Sequence, residues 1–336
     1  MKAYEIREAF GIDHLAITGQ VTPTPGHGQA VVRVRAVSLN YRDLMVVKGL
    51  YNPHIHLPFT PFSDGAGEVV SIGEGVSRVK VGDRVAGIFM QDWLAGEMTE
   101  AKQKSALGGG GQGMLAEYVA LSEDGLVHIP GHLSYEEAAT LPCAAVTAWH
   151  AVIETGLRPG DRVLLLGTGG VSLFSLQFAR LAGAEVFITS HSAEKLERAV
   201  NLGAAQGINY RAVPDWGRRV LEMTGGAGVD LVVEVGGAGT LPQSIEAVRT
   251  GGRISLIGVL TGTAGEINPL PIVMKKICLQ GIFVGSREMF ESMNKAIVLH
   301  RLQPVVDRAF SFGEVRDALR YMESGSHFGK ICVSVP

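Results

Sequence analysis

The chain has 336 residues, of which 46% are hydrophobic and 19% are charged, and this composition excludes a disordered protein. Its length suits roughly two domains, and its formal net charge of -3 gives no reason to expect nucleic acid or a membrane surface as a partner. The lack of a long apolar run and of a signal-peptide pattern, together with three widely spaced cysteines, predicts a cytoplasmic protein without disulfides.

From Met1 to about Leu126 the sequence predicts short strands separated by turns. These strands are expected at residues 31–37, 67–73, 83–87 and 115–121. Alternation of apolar and polar residues in the first of them favours a half-buried antiparallel sheet. Residues 93–113, which include the glycine run from Gly108 to Gly111, are typical of a long mobile loop or lid.

From about Ser134 helices and apolar strands alternate. A helix over 135–154 leads to strands expected near 163–166, 185–189, 230–235, 253–258 and 279–284. This alternation is typical of a doubly wound parallel sheet in an α/β fold. The last stretch predicts a helix over 314–322 and a strand over 330–335 that returns to the first domain. We therefore expect one domain from 1–126 with 305–336, and another from 127–304.

A glycine-rich turn follows the strand near 163. Gly167, Gly169 and Gly170 lie directly before a helix that is expected to begin near Val171. Glycines here let the backbone N–H groups approach a pyrophosphate at the positive end of a helix. Ser172 stands where the usual spacing has a third glycine, so the motif alone is weak. The following strand supplies the context of a dinucleotide-binding unit.

The tip of that following strand distinguishes the cofactor. An NAD site normally has an Asp or Glu there, which bonds the ribose hydroxyl and repels a 2′-phosphate. This chain has no acid at the tip but offers Ser190, His191, Ser192 and Lys195, which favours NADP(H). Alternatively, Lys195 and Glu194 are the solvated first turn of the next helix. The ends of the later strands are expected to line the same crevice at Gly236, Val259 and Gly285.

Four segments resemble the medium-chain dehydrogenase/reductase superfamily over essentially the whole chain. They are residues 37–43, 65–73 with 81–87, 141–149 and 167–171. The resemblance implies an N-terminal GroES-like antiparallel β domain, a Rossmann domain, and a reaction in the cleft between them. Within the superfamily the chain looks most like the zinc-free quinone oxidoreductase-like branch.

The zinc ligands of the related alcohol dehydrogenases are largely missing. Asn40 stands where the first ligand cysteine would lie, residues 62–64 replace the Gly-His-Glu segment, and Cys143 alone matches. One thiolate does not hold a catalytic zinc, so no metal is expected. His54 and His56 near Asp64 suggest a chelating pair, but ordinary loop histidines are the simpler interpretation.

The resemblance also implies roles for particular residues. It sets Asn40 and Tyr51 beside the substrate and gives Asp43 an orienting or relay role, against the alternative of an ion pair or helix cap. Thr147 is expected to contact the nicotinamide. Tyr210 and Lys195 match positions near the 2′-phosphate. Lys330 matches one that reaches a cofactor phosphate, although a strand-edge lysine is the plain alternative.

Together these features predict an NADPH-dependent reductase of small activated carbonyl compounds such as quinones or enones, with no catalytic zinc. A conjugated carbonyl accepts hydride without a Lewis acid if hydrogen-bond donors stabilise its oxygen. The alternatives are an alcohol or aldehyde dehydrogenase with a residual metal, and an NADPH-binding protein with little turnover. The resemblance further implies a homodimer that pairs through the strand at 279–284.

Overall fold

The computed structural model describes residues 1–109 and 111–336, so Gly110, within the predicted glycine run, lies outside the described residues. The chain divides into two compact units. The first consists of Met1–Val146 with Val284–Pro336, and the second consists of Thr147–Phe283. We call them the catalytic unit and the nucleotide unit, after their expected roles. Their bounds differ from the expected domain limits at 126/127 and 304/305.

Both units contain a central sheet. Over the described ranges the strands are β1 (Lys2–Ile6), β2 (Leu15–Gly19), β3 (Gln29–Ser38), β4 (Asp64–Ile72), β5 (Arg84–Gly87), β6 (Tyr118–Ser122), β7 (Leu126–His128), β8 (Arg162–Leu165), β9 (Glu185–Ser190), β10 (Gln206–Asn209), β11 (Val229–Glu234), β12 (Val248–Leu256), β13 (Cys278–Gly281), β14 (Val306–Ser311) and β15 (Lys330–Ser334).

The helices are mostly short. They are α1 (Tyr41–Val47), α2 (Glu100–Lys104), α3 (Tyr135–Ala139), α4 (Val146–Val152), α5 (Gly170–Leu181), α6 (Ala193–Asn201), α7 (Trp216–Met223), α8 (Leu241–Ala247), α9 (Leu270–Met274), α10 (Arg287–His300) and α11 (Val315–Glu323). Single turns of 3-10 helix occur at Ile12–His14, Glu123–Gly125 and Phe312–Glu314, and a π-helical turn occurs at Leu141–Ala145. No helix in the part of the chain that the structure describes is long and apolar enough to cross a bilayer.

The main sheet of the catalytic unit has the strand order β14-β15-β3-β4-β5-β7, and β6 also pairs with β3. Its pairings are antiparallel except for β14 with β15, which is parallel. The C-terminal strand β15 therefore returns to the first sheet, as expected. α3 packs on β3 and β4, and α10 contacts β7. These contacts explain why residues 127–146 and 284–304 belong to this unit.

Burial in β3 goes beyond the predicted half-buried pattern. Val34 and Ala36 are buried and alternate with Arg33 and Arg35, but Val31 and Val32 are both buried. α3 packs on this strand, and Val32, Val34 and Val37 also belong to the hydrophobic core. A strand covered on both faces has no need of a polar side.

The nucleotide unit contains a parallel sheet in the order β10-β9-β8-β11-β12-β13. All five pairings between these strands are parallel. This is the order of the dinucleotide-binding Rossmann fold, with a topological switch beside β8. Val163, Leu164 and Leu165 of β8 are fully buried, as their unbroken apolar run predicts.

Two predicted segments differ from the structure. The single helix expected over 135–154 is divided into α3, the π-helical turn and α4. Pro142 lies in that turn and lacks a backbone N–H donor, which weakens a regular helix there. The loop expected over 93–113 contains α2, and Met90 forms a bridge to Ala106.

Candidate active site

The glycine turn after β8 leaves open space beside the start of α5. Gly167 has φ +73, a left-handed conformation that favours glycine, and its N–H donates to Thr189 Oγ1 at 3.1 Å. An added Cβ at Gly167 or at Gly169 would meet no atom within 4 Å. Gly170 and Val171 form the first turn of α5, whose cap at Gly169 provides no side chain. The N–H groups of this turn thus face a site suited to an anion.

Ser172, at the third position of the motif, has a defined structural role. It is buried, and its Oγ donates to the Leu166 carbonyl at 2.6 Å. This bond joins the first turn of α5 to the end of β8. A serine in place of the usual glycine is therefore compatible with close packing of helix on strand.

The tip of β9 and the end of β10 bring the predicted 2′-phosphate residues together. Ser190 is buried, its carbonyl accepts from the Tyr210 N–H at 3.1 Å, and His191 Nδ1 lies 3.2 Å from the Tyr210 hydroxyl. Ser192 caps α6 by accepting from the Lys195 N–H at 3.3 Å. Neither residue between β9 and α6 is acidic.

Positively charged groups lie near this tip. Desolvation is the main cause that lowers the pKa of His191, and the nearby charges of Lys195 and Arg211 lower it further. Lys195 is buried, with 8% of its surface exposed, whereas Glu194 is exposed. The solvated first turn considered as an alternative therefore does not describe Lys195, because α6 packs this residue toward the sheet.

A buried carboxylate that sequence reasoning missed holds the loop after β11. Glu234 is fully buried, and its Oε1 accepts from the N–H groups of Gly236 and Gly237 at 2.7 and 3.1 Å. The Thr240 hydroxyl also donates to Oε1, at 2.7 Å, and the Ser244 hydroxyl donates to Oε2, at 2.5 Å. An acidic residue that ends the apolar run of β11 before two glycines was the available signal.

The other predicted cofactor residues belong to other elements. Val259 is 43% exposed in the loop after β12, and Thr147 is buried in α4. Gly285 is buried in the catalytic unit, where a Cβ would meet Val146 Cγ1 at 2.6 Å and Met289 Sδ at 2.9 Å. Its lack of a side chain is thus explained by packing. The contacts of these residues with a cofactor remain predictions.

In the catalytic unit, the register of one sheet gathers polar residues that are distant in sequence. Ser38, at the end of β3, pairs with Asp64 on β4 and with Cys332 on β15. Asn40 follows β3 by two residues, and Lys330 begins β15. Three strand ends therefore meet at one point of the sheet.

These residues form a buried hydrogen-bonded cluster. The Lys330 ammonium donates to the Leu39 carbonyl at 2.5 Å and to Asn40 Oδ1 at 2.6 Å. Asn40 Nδ2 donates to Ser63 Oγ at 3.4 Å, and the Ser63 hydroxyl donates to Asp64 Oδ1 at 2.7 Å. Asp64 Oδ2 accepts from the Cys143 N–H at 3.0 Å. We call Asn40, Ser63, Asp64, Cys143 and Lys330 the Asn40 cluster.

Lys330 is an interior residue, so the strand-edge alternative is wrong. Only 4% of its surface is exposed, because β15 lies between β14 and β3. The preceding Gly329 has φ +89, and a Cβ there would lie 2.4 Å from the Val305 carbonyl oxygen. The ammonium is bound to Asn40, while its predicted contact with a cofactor phosphate remains a prediction.

Asp43 lies next to the cluster and is fully buried. Its Oδ2 accepts from the Asn40 N–H at 2.8 Å at the start of α1, as in the helix-cap alternative. Its Oδ1 has no partner among the described residues. Burial raises the pKa of this carboxyl to about 7, although Arg42 opposes the shift. The orphaned oxygen and the raised pKa indicate a carboxyl that carries a proton near neutral pH.

Arg42 links Tyr51 to this region. Its guanidinium lies 5.0 Å from the centre of the Tyr51 ring and 4.7 Å from that of Phe89, and it donates to the Leu107 carbonyl at 2.8 Å. Tyr51 itself is 41% exposed. The predicted substrate contact is thus a partly exposed side chain whose ring is held by a cation–π contact.

The remaining candidate ligands do not assemble. Burial raises the pKa of the Cys143 thiol well above its usual range, and the Asp64 charge adds to the shift. His54 and His56 are both exposed. Among residues 1–109 and 111–336, no group of three or more His, Cys, Asp or Glu side chains is arranged to hold a metal ion.

Two family models match the chain. The alcohol dehydrogenase GroES-like domain matches residues 26–131, and the zinc-binding dehydrogenase domain matches residues 170–298. The two matches confirm the predicted pairing of a GroES-like domain with a Rossmann-like domain.

Full-length relatives support the same assignment. A zinc-type alcohol dehydrogenase-like protein of Schizosaccharomyces pombe is 45% identical over 92% of this chain and 91% of its own length. The crystal structure of a putative alcohol dehydrogenase from Sinorhizobium meliloti is 42% identical, with a TM-score of 0.93 over 99% of this chain and 98% of that one.

Two further similar structures are of enzymes with different cofactors. One is an NAD-dependent alcohol dehydrogenase, 33% identical, with a TM-score of 0.92 over 100% of both chains. The other is the crotonyl-CoA carboxylase/reductase AntE in complex with NADP, 25% identical, with a TM-score of 0.89 over 100% of this chain and 94% of that one. From the two domain matches and these full-length similarities, the chain belongs to the medium-chain dehydrogenase/reductase superfamily of oxidoreductases.

Proposed function

We propose that this oxidoreductase is an NADPH-dependent reductase of quinones, enones or related activated carbonyl compounds, and that it acts without catalytic zinc. The observation that carries the proposal is the Asn40 cluster with its neighbour Asp43. It offers an amide donor and a proton-bearing carboxyl at a position where the resemblance expects the substrate. A site of this kind suits a substrate whose developing negative charge is spread over a conjugated system.

The nucleotide unit fits a phosphorylated pyridine nucleotide. The open turn at Gly167 and Gly169 and the first N–H groups of α5 would hold the pyrophosphate. Lys195 and Arg211, with the Tyr210 and Ser190 hydroxyls, would hold the 2′-phosphate, where no acid repels it. When bound, NADPH supplies a hydride, which leaves NADP⁺.

The catalytic unit would manage charge and protons on the substrate. The substrate gains one hydride at carbon and one proton, which gives a hydroquinone or a saturated carbonyl compound. The Asn40 amide and the Tyr51 hydroxyl would donate hydrogen bonds to the carbonyl oxygen as it becomes negative. The protonated Asp43 carboxyl would supply the proton through a relay, because its Oδ1 is buried and has no partner among the described residues.

The residues at the zinc position do not fit the metal. A catalytic zinc takes three thiolate, imidazole or carboxylate ligands and an open position. Here Asn40 and Ser63 replace two such ligands, and burial keeps the Cys143 thiol protonated. The Lys330 ammonium lies 2.6 Å from Asn40 Oδ1, so a second cation beside it would be repelled. These features support hydride transfer without a metal.

A comparison of cofactors and acceptors tests the proposal. Purified protein would be assayed with NADPH and NADH against a quinone, an enone, an aldehyde and, in the reverse direction, an alcohol, before and after chelation. We expect NADPH oxidation by the quinone or enone that chelation does not reduce. A preference for NADH would overturn the cofactor assignment.

The second candidate is an alcohol or aldehyde dehydrogenase with a residual metal, which the names of the similar proteins favour. Metal analysis distinguishes it from the leading proposal. Near-stoichiometric zinc, together with alcohol oxidation that is lost on chelation, would favour this candidate.

We also propose a homodimer that pairs through the nucleotide unit. Its edge strand β13 is partly exposed, and α9 presents Leu270, Val273 and Met274 at 60%, 72% and 73% exposure. Apolar side chains beside an open sheet edge are typical of an interface. V273E should give a monomer by light scattering, whereas V21E, at a 91% exposed valine of the catalytic unit, should not. A dimer that survives V273E would contradict this interface.

A further inference from the structure

Lys330 carries a charge that the fold has placed in its interior. Its side chain is 4% exposed, and two of its three ammonium hydrogens are directed at Leu39 O and Asn40 Oδ1, 2.5 and 2.6 Å away. A buried ammonium is costly unless it is bonded and balanced by charge. A neutral side chain would join β15 to β3 without that cost, so the charge itself requires an explanation.

The position of Lys330 is built into the sheet. In the antiparallel register Cys332 pairs with Ser38, which sets Lys330 opposite Asn40. The Leu39 N–H donates to the Ile331 carbonyl at 2.9 Å and extends this pairing. The ammonium is thus held against Asn40 by the main chain on both sides.

The contact fixes the orientation of the Asn40 amide. An ammonium is a donor only, so Asn40 must turn its Oδ1 toward Lys330 and its Nδ2 toward Ser63. Withdrawal of electron density from the amide oxygen makes the Nδ2 hydrogens better donors. The Asn40 amide bonds Ser63 at a long 3.4 Å and also bonds the Asp64 carboxyl, so a substrate oxygen would compete with these two acceptors for its two hydrogens.

Lys330 also supplies positive charge to the two buried carboxyls of the region. Burial raises the pKa of Asp64, and Lys330 is the largest influence that opposes this shift. It acts more weakly on Asp43. Positive charge at this point also favours an anionic oxygen bound at Asn40.

We propose that Lys330 is a positioning residue for substrate activation, whose buried ammonium orients and polarises the Asn40 amide toward the oxygen of the bound carbonyl compound. This inference rests on the proposed reductase function. It replaces the phosphate contact that the sequence suggests for Lys330. Lys330 transfers no group in this role, so the step forms and breaks no covalent bond.

A double-mutant cycle tests the inference. The variants are K330M, N40A and K330M with N40A, and K295M, at an exposed lysine of α10, is the control. We expect K330M to lower kcat with an enone or quinone by about tenfold to a hundredfold. In the N40A background K330M should change kcat less than twofold, because its effect passes through Asn40. The dissociation constant for NADPH, measured by fluorescence titration, should change less than twofold.

Other outcomes would overturn it. Equal losses of kcat from K330M in the wild-type and N40A backgrounds would mean that Lys330 does not act through Asn40. A large rise in the NADPH dissociation constant of K330M with unchanged kcat would instead support the predicted contact of Lys330 with a cofactor phosphate.

A structural readout separates this inference from the proposed function. Neutron crystal structures of the wild-type chain and of K330M, which distinguish the Asn40 amide nitrogen from its oxygen, should show that the amide changes its orientation when the ammonium is removed. If the wild-type chain reduces no activated carbonyl compound, the proposed function fails, and this comparison still decides the orienting role. An unchanged Asn40 rotamer in K330M would refute that role.

Discussion

The two units build their sites in opposite ways. In the nucleotide unit, the candidate site consists of backbone N–H groups and short loops at the ends of β8, β9 and β10, and most of it comes from neighbouring residues in sequence. In the catalytic unit, Asn40, Asp64, Cys143 and Lys330 meet only because three strands and a π-helical turn converge. A local motif suffices for the first site, whereas the second depends on sheet register.

This difference predicts how each site fails. Substitutions in the nucleotide unit should change the affinity for the cofactor and leave the chemistry of bound substrate intact. Substitutions in the catalytic unit should change turnover and leave the affinity for the cofactor intact.

The largest effect is expected for N40A. Loss of one preorganised donor to a developing oxyanion typically lowers kcat by about a hundredfold to a thousandfold. The NADPH dissociation constant should stay within twofold, and N201A, at an exposed asparagine at the end of α6, should change neither quantity. Steady-state kinetics and fluorescence titration measure both. A weakened NADPH affinity with normal turnover would show that Asn40 belongs to the cofactor site.

The next largest effect is expected for D43N, in which kcat should fall about a hundredfold because general acid catalysis is lost. Asparagine retains an oxygen for the Asn40 N–H, so α1 keeps its cap. In the wild-type chain kcat should fall as the pH rises through about 7, where Asp43 loses its proton. This fall in kcat with rising pH should be absent in D43N and present in D92N, a control variant at an exposed aspartate. If kcat of D43N still falls as the pH rises through about 7, the role of Asp43 as proton donor is contradicted.

The same carboxyl predicts a pH dependence of stability. Folding raises the pKa of Asp43 from 3.8 to about 7, so the folded chain retains a proton that the unfolded chain releases. The contribution of Asp43 to the free energy of unfolding should therefore fall as the pH rises from about 4 to about 7. Urea unfolding of the wild-type chain and of D43N at pH 5 and pH 7.5 measures this effect. The free energy of unfolding of D43N, relative to that of the wild-type chain, should be higher at pH 7.5 than at pH 5.

K195A tests the cofactor preference of the nucleotide unit. Loss of one charge-assisted contact with a phosphate should weaken NADPH binding by about tenfold and leave NADH binding within twofold. K295A provides the matched control at an exposed lysine. Equal weakening of both cofactors would mean that Lys195 supports the fold of α6 and does not distinguish the 2′-phosphate.

The smallest effect is expected for G169A. Gly169 has φ -81 and no atom within 4 Å of an added Cβ, so the folded chain should accept alanine with a loss of less than about 1 kcal/mol. The methyl group would occupy space needed by the pyrophosphate and weaken NADPH binding by about fivefold. G131A, at an exposed glycine that also has open space, is the control. Unchanged NADPH affinity in G169A would indicate that the cofactor does not bind at this turn.

Sequence patterns determined the class of the fold and the location of the nucleotide motif. The apolar run of β8, the glycines at 167, 169 and 170, and the acid-free tip at 190–192 lie within one βαβ unit, where neighbours in sequence are neighbours in space. The bounds of the compact units differ from the expected domain limits, because residues 127–146 carry a helical pattern and α3 packs on the antiparallel sheet.

Only the tertiary structure decided the surroundings of Asn40. No local pattern sets Lys330 opposite Asn40 across 290 residues, since that pairing comes from the register of β15 on β3. The burial of Lys330, Asp43 and Glu234 likewise depends on which elements cover them. Whether a charged side chain is a solvated surface group or an interior electrostatic group is a property of packing, because the dielectric surroundings that set its energy come from residues far away in the sequence.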